Sequence, residues 1–426
     1  GFDNNTICAI QNGQNPGTYV CTPAEAAAHT DFINSFLPAT VKQPQNIDNW
    51  TSEIRLSSNG EGNLDWTVGL FTEDRSSDLK SQVLAATPDG LARVPFEFIF
   101  FRQAFEEVEQ LSVFGEVTWH ITDQFRVTGG GRWFDYDKTN RGETIVGFSL
   151  VNAPPGPAPD GDAGEEDTIF KFNASYDLSD DVMAYFQVVE GFRLGGANQS
   201  VFVQVPAQFN SDSVTNYELG AKTTLLGGSM TLNTALFQMD WENIQVGGTT
   251  PDGAFAFIGN AGSAEVQGIE IELTSQPLEN LLLSGGFTYL TAELSEDQVD
   301  STGDFRAPGL DGDEIPRVPD LTFGLAAEMY FQLPNNLDGL LRIDVSHIDS
   351  RNTELRPDDV FFLEIDDYTL TNVRFGIDGE KWSAQIYADN IFDESGQSNR
   401  AFDAFTDRSI FAVRPQTFGV SVRRNF

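Results

Sequence analysis

The sequence predicts an antiparallel transmembrane β-barrel. Three observations carry that expectation: apolar and polar residues alternate with period two in one segment after another, short and long connections largely alternate between those segments, and the last segment alternates up to a terminal aromatic residue, Phe426.

The alternation comes first. Residues 269–273 read Ile-Glu-Ile-Glu-Leu, so Ile269, Ile271 and Leu273 point one way and Glu270 and Glu272 the other. Residues 341–346 place Arg342 and Asp344 on a polar side. Residues 216–223 set Asn216, Glu218 and Lys222 opposite Tyr217, Leu219 and Ala221. Successive side chains of a strand point to opposite faces, so each segment reads as a strand with one apolar and one polar face. A soluble sandwich would turn the polar face to water. A membrane barrel turns the apolar face to lipid and lines its lumen with the polar one.

Loop lengths separate the two. Tight connections lie at 59–63, 122–124, 178–180, 226–228, 334–336 and 378–380. Long ones rich in Gly, Pro, Asp and Ser lie at about 74–105, 139–166, 194–213, 292–316, 350–364 and 393–411. Short periplasmic turns and long extracellular loops are the habit of outer-membrane barrels, and a sandwich has no reason to sort its loops this way. About fifteen strands are expected, the first at about 48–58. With the last strand ending in the periplasm, the first runs inward from outside. Residues 1–47 are then an extracellular loop, residues 48–426 the C-terminal part of a barrel, and at least one strand is expected upstream.

Composition agrees. No run approaches the roughly 18 apolar residues of a spanning helix, whereas a barrel strand crosses with roughly 9–11 residues of which every second is apolar. Aromatic residues make up 12 % of the chain, including 35 Phe, and many sit near strand ends: Trp66, Phe71, Trp119, Trp133, Phe134, Trp241, Tyr289, Tyr330 and Trp382. In a barrel such residues form interfacial girdles. A net charge of −39 leaves no basic face for nucleic acid. Asp160, Asp162, Glu165, Glu166 and Asp167 cluster in one loop, without the spacing of an EF-hand. The two cysteines, Cys8 and Cys21, are spaced for a disulfide that staples the leading loop in an oxidising compartment, the alternative being two free thiols.

Several segments, in order, resemble the TonB-dependent outer-membrane receptor family. Gly191-Phe192-Arg193-Leu194-Gly195-Gly196-Ala197-Asn198 is similar to its GFRxGGxN strand-to-loop segment, and Asn216–Lys222 to its YELGxK strand. Asn260-Ala261-Gly262 with Gly268-Ile269-Glu270 resembles its NAG…GxE segment, and Ile315–Pro319 a loop that precedes a strand. Asn390-Ile391-Phe392-Asp393 resembles its NxxD ending, and Arg414–Phe426 its last strand. The resemblance implies a 22-stranded barrel with a plugged lumen, of which this chain holds the C-terminal part without the plug. It further implies an outer-membrane location and TonB-powered uptake of a scarce small-molecule or metal-chelate ligand, a ferric siderophore before a cobalamin-like molecule or a glycan. Phe418, Val420, Val422 and Phe426 resemble the signal read by the barrel-assembly machinery. A passive porin and a soluble β-rich binding protein are the competing readings.

Ligand contacts are expected from a long loop, where function concentrates: Arg193, Asn198, Gln199 and Phe202. Glu218, Glu270, Glu272, Asn372 and Arg374 are expected on the lumen side. No catalytic, cofactor or metal site is expected. The only histidines are His29, His120 and His347, and Ser346 and His347, being neighbours on a strand, point to opposite faces.

Overall fold

The computed structural model describes residues 20–60, 62–149, 154–158, 160–198, 208–249, 256–260, 262–298, 309–359, 362–401 and 409–424. One seventeen-stranded antiparallel sheet dominates. Two members, Ala39–Lys42 and Gly156–Pro157, are short additions, leaving fifteen long strands. They are β1 (Gln45–Ser57), β2 (Leu64–Ala85), β3 (Phe98–His120), β4 (Phe125–Val146), β5 (Gly161–Ser179), β6 (Val182–Arg193), β7 (Asp212–Leu225), β8 (Met230–Glu242), β9 (Ala264–Leu278), β10 (Leu281–Leu294), β11 (Leu321–Leu333), β12 (Leu337–Ile348), β13 (Tyr368–Gly379), β14 (Trp382–Asp389) and β15 (Thr417–Arg424). Each pairs with the next in sequence, β1 with β2 through β14 with β15. Among the described residues β1 and β15 pair on one side only.

The connections alternate throughout: tight turns at one end, and at the other the long segments 86–97, 147–160, 194–211, 243–263, 295–320, 349–367 and 390–416. Two of the tight turns use left-handed residues where the chain reverses most sharply, Gly227 and Gly228 (φ 67° and 93°) and Asn335 and Asn336 (φ 66° and 55°). Backbone twist of that hand matches a two-stranded ribbon.

Register fixes the two faces. Leu70 lies opposite Val113, Leu219 opposite Leu236, Leu236 opposite Ile269, and Ile386 opposite Val420. Apart from the part-buried Ile269, these side chains are 42–71 % exposed, which on a sheet this large is an apolar belt meant for lipid rather than water. The opposite face carries Asp65, Thr118 and Thr128 in one row, and Gln187, Glu218 and Phe237 in another. Glu270, Glu272, Asn372 and Arg374 fall on this polar face by the same parity.

Three features differ from the sequence reading. First, β2, β3 and β4 have 22, 23 and 22 residues, about twice the roughly 9–11 that cross a bilayer. The expected loops 74–105 and 139–166 are therefore mostly strand. Beyond the belt their outward residues turn polar (Asp74, Glu107, Glu109, Asp137) while the inward ones become apolar and buried (Val83, Ala104, Val108). The alternation inverts where the strands leave the lipid, which hides them from a search for outward apolar residues. Second, 243–263 is a long connection that sequence did not mark; it folds as a hairpin of Gln245–Thr249 and Ala256–Asn260. Third, Phe71 and Phe134 point inward rather than to a girdle: Phe134 is 1 % exposed and Phe71 lies under Arg132.

The leading segment contains a helix, α1 (Pro23–Asn34), started by a capping box in which Thr22 and Glu25 bond each other's backbone amides, a pattern legible in Thr22-Pro-Ala-Glu25. Phe32, Ile33 and Phe36 pack it on Val83 and Phe100 at the inner face of the β2–β3 extension. Cys21, just before it, is disulfide-bonded; Cys8 lies outside the described residues.

Candidate functional site

The long connections gather at one end of the sheet, and polar side chains join the last five of them, each to the next. Asp212, at the start of β7, is the centre of one junction, with its side chain 1 % exposed. Arg193, at the end of β6, grips it with two nitrogens, one of them at 2.9 Å. The amide of Gln245 donates to the same carboxylate at 2.9 Å. The guanidinium also lies 4.7 Å from the Trp241 ring and donates to the Gln245 carbonyl at 3.1 Å. A buried carboxylate tolerates this position because a fork of donors and a backbone amide replace its water.

Asparagines extend the junction. The Asn198 amide donates to the Ile258 carbonyl (2.6 Å) and accepts from the Ile258 N–H (2.8 Å), acting as a substitute strand partner. Asn260 donates to the carbonyls of Asn210 (3.1 Å) and Asn243 (2.8 Å) and accepts from the Asn210 N–H (2.8 Å). The 194–211 and 243–263 connections are thus bonded into one unit. Gly195 lets the first of them lie flat: a Cβ there would stand 2.8 Å from the Ser211 nitrogen and 2.9 Å from the Phe209 oxygen. Its N–H donates to Tyr136 Oη at 2.9 Å, and Asn140 donates to the Ala197 carbonyl at 2.7 Å, pinning the segment to the inner face of β4.

The remaining connections follow suit. Ser263 donates to Glu296 (2.7 Å), Asn352 to Glu314 (2.9 Å), Arg351 to the Ser398 carbonyl and Arg400 to the Glu364 carbonyl. A small apolar cluster, Ile244, Ala264 and Leu294 with Ile315 and Leu355, lies beneath. On the 349–367 segment Arg356 donates to Asp358 at 2.8 Å, which holds that carboxyl below its usual range. At β14, Asn390 and Asp393 adopt positive φ (51° and 54°). Asn390 donates to the carbonyls of Glu394 (2.9 Å) and Arg414 (3.1 Å), and Gln416 N–H donates to Asp393 at 3.2 Å. The outcome is a collar of bonded loops around one end of the sheet.

The polar face below is a wall of ion pairs and hydrogen bonds: Arg126 with Asp177 (2.7 Å), Lys171 with Glu116, Arg342 with Glu328 and Asp344. Glu218 accepts from Tyr185 and from Gln187 (3.0 Å). Opposite Tyr185 stands Gly220, where a Cβ would run into the tyrosine ring. A concavity of about 550 Å³ in this wall is lined by Asn233, Glu272, Ser284, Arg342 and Asp344 among others.

Of the residues expected to touch ligand, Arg193 and Asn198 are therefore engaged with the protein's own loops, while Gln199 and Phe202 lie outside the described residues. Phe418, Val420 and Val422 line the outward face of β15, each about 70 % exposed; Phe426 lies outside the described residues. His120 bonds Asp65 at 2.8 Å, and His347 bonds Thr369 at 2.9 Å and stacks on Phe323. Among the described residues no three metal-ligating side chains converge. Sequence reasoning missed Asp212 and Gln245. Their position beside the Arg193 and Asn260 segments was visible, but which loops meet was not.

Comparison with known proteins places this architecture. The family model described as "TonB dependent receptor-like, beta-barrel" matches residues 4–391. The pesticin receptor of Yersinia enterocolitica is 26 % identical over 234 residues, covering 54 % of this chain and 32 % of the relative. The ferric yersiniabactin uptake receptor FyuA from Yersinia pestis superposes with a TM-score of 0.74 at 20 % identity, over 91 % of this chain and 55 % of that one. The siderophore receptor PiuA from Acinetobacter baumannii gives 0.69 at 14 % identity, over 89 % and 56 %. At such identities the structures show a shared fold. The chain spans about a third of the curated relative's length and about half of each solved structure.

Proposed function

The chain belongs to the TonB dependent receptor-like β-barrel family of the bacterial outer membrane, and from that premise we propose that it supplies the pore wall and outer mouth of a receptor that takes up a ferric siderophore. The loop collar is the observation that carries this reading. A passive pore needs an open mouth, whereas here residues 194–198 fold inward onto β4 and are bonded there. A bonded, inward-folded mouth suits capture of a scarce ligand before transport, since loops ordered in advance reduce the entropy lost on binding. Support for a metal chelate comes from the relatives, whose names specify ferric yersiniabactin and a siderophore. The remaining partners of this reading are outer-membrane lipid around the apolar belt, the barrel-assembly machinery at β15, and TonB acting through a plug.

Radio-iron uptake tests it. Cells lacking the gene should lose accumulation of one class of ferric chelate, and cells with the gene but without TonB should lose it equally. Uptake that persists without TonB would mean a passive pore. Unchanged uptake of hydroxamate, catecholate and phenolate chelates on gene deletion would remove the siderophore.

A further inference from the structure

Cations on the polar face are mostly neutralised within the wall. Arg55 pairs with Glu53, Arg75 and Lys138 share Glu106 (3.1 and 3.0 Å), Arg126 pairs with Asp177 and Lys171 with Glu116. Arg132 of β4 differs. Among the described residues no carboxylate lies within 4 Å of its guanidinium. One nitrogen donates to the fully buried Ser112 hydroxyl at 2.9 Å, Nε is enclosed without an acceptor, and the group lies 5.3 Å from the Phe71 ring. Phe114 stands directly opposite on β3. The side chain is half-buried, not sealed.

Its height is equally telling. The next residue, Trp133, marks the outer boundary of the apolar belt on β4, with its indole donating to Glu166 at 3.0 Å. Two and four residues farther out on the same face, Phe134 and Tyr136 are sealed (1 % and 2 % exposed) beneath the inward-folded residues 194–198. Arg132 is thus the first cation below that roof. Lys222 and Arg423 also lack a carboxylate within 4 Å among the described residues, but both lie near the opposite, tight-turn ends of β7 and β15.

An enclosed guanidinium is costly without an anion, and its planar fork matches two oxygens of a carboxylate or of a deprotonated catechol. We infer that Arg132 is an anion-binding residue of the transport path, receiving the negatively charged oxygens of a metal chelate, with the Phe71 and Phe114 rings bordering the site. This inference rests on the proposed uptake of a chelate and narrows it to anionic chelates. Glu73 lies on the same face, two strands away and farther out; Asp167, one strand away opposite Phe134, accepts from the Thr168 N–H at 2.7 Å and makes no ion pair with Arg132; Glu53 and Glu116 are already paired. The local balance therefore leaves the Arg132 charge available.

The test uses the full-length receptor in outer-membrane vesicles, with ferric citrate and a ferric tris-catecholate as anionic probes and ferrioxamine B as a cationic one. Heat-modifiable electrophoretic mobility reports folding of each variant. Arg132→Gln should weaken binding of the anionic probe that the parent binds by about tenfold or more, as expected for loss of a charged hydrogen-bonding partner. Arg132→Lys should fall between, and Lys222→Gln should match the parent. Unchanged affinity in folded Arg132→Gln would overturn the assignment while leaving chelate uptake standing. Equal losses in Arg132→Gln and Lys222→Gln would also overturn it, since the effect would then be one of general lumen charge. A parent that binds only ferrioxamine B would refute the anion and keep the chelate; a parent that binds none of the three would remove both.

Discussion

At the scale of single residues, the family-like motifs turn out to be joints. Arg193 and Asn198 in GFRLGGAN, Asn260 in NAG and Asn390 in NIFD all spend their polar atoms on backbone or carboxylate partners within their own connection or in a neighbouring one. Asp212→Asn should loosen the first joint. Hydrogen bonds to a charged group are worth about 1.5–3 kcal/mol, and the half-exposed Arg193 puts this one at the lower end. The Gln245 amide should then exchange with deuterium roughly tenfold faster, while amides in the middle of β7 stay as they were. Uniform acceleration along the strand would mean that Asp212 holds the barrel rather than the loop joint. Gly195→Ala should act on the same joint through sterics, since its Cβ meets backbone atoms that cannot swing aside; faster proteolytic nicking of the 194–211 connection in folded receptor is the expected outcome. These residue types were visible in the sequence as motifs. Their partners were not, because Asn198 and Ile258 are sixty positions apart and no local pattern encodes which two loops will touch.

Strands were legible wherever lipid imposes a rule and illegible where it does not. Inside the belt every second residue must be apolar, so the alternation at 216–223, 269–273 and 341–346 disclosed β7, β9 and β12. Above the belt, in the outer halves of β2 to β4, the rule lapses and the buried side is the inner one, so Val83 and Ala104 looked like loop residues. The same logic gives a prediction with a built-in control. Val68 faces outward in the middle of the belt on β2, opposite Gly115, whereas Asp74 faces outward above it. An arginine at the bilayer midplane costs about 2–4 kcal/mol. Val68→Arg should therefore cut the yield of heat-modifiable folded barrel, and Asp74→Arg should leave it near the parent level. Equal yields would mean that the belt is misplaced. Helix α1 was overlooked although Thr22-Pro-Ala-Glu25 announces it; Thr22→Ala should cost about 1 kcal/mol of local stability, seen as faster amide exchange in residues 23–34 alone.

For the molecule as a whole, two features combine: a sheet with one face for lipid and one for a polar interior, and a bonded collar at the end where the connections are long. The first follows from backbone chemistry, since a spanning sheet must satisfy its amides between strands. The second is the feature on which the proposed function of ligand capture rests. Assembly belongs to this scale too. With Phe418, Val420 and Val422 on the outward face of β15, deletion of Phe426 is expected to reduce insertion, and equal amounts of folded barrel from deletion and parent would refute that role. All of this depends on which face of the sheet meets lipid. Spin labels placed one at a time at Glu218, Leu219, Ala221 and Lys222 of β7, in the full-length receptor in vesicles, measure it directly. Collision with oxygen should dominate at Leu219 and Ala221, and collision with a water-soluble nickel chelate at Glu218 and Lys222. Equal access of the nickel chelate to all four positions would show that both faces of the sheet meet water, and the membrane barrel would have to be abandoned.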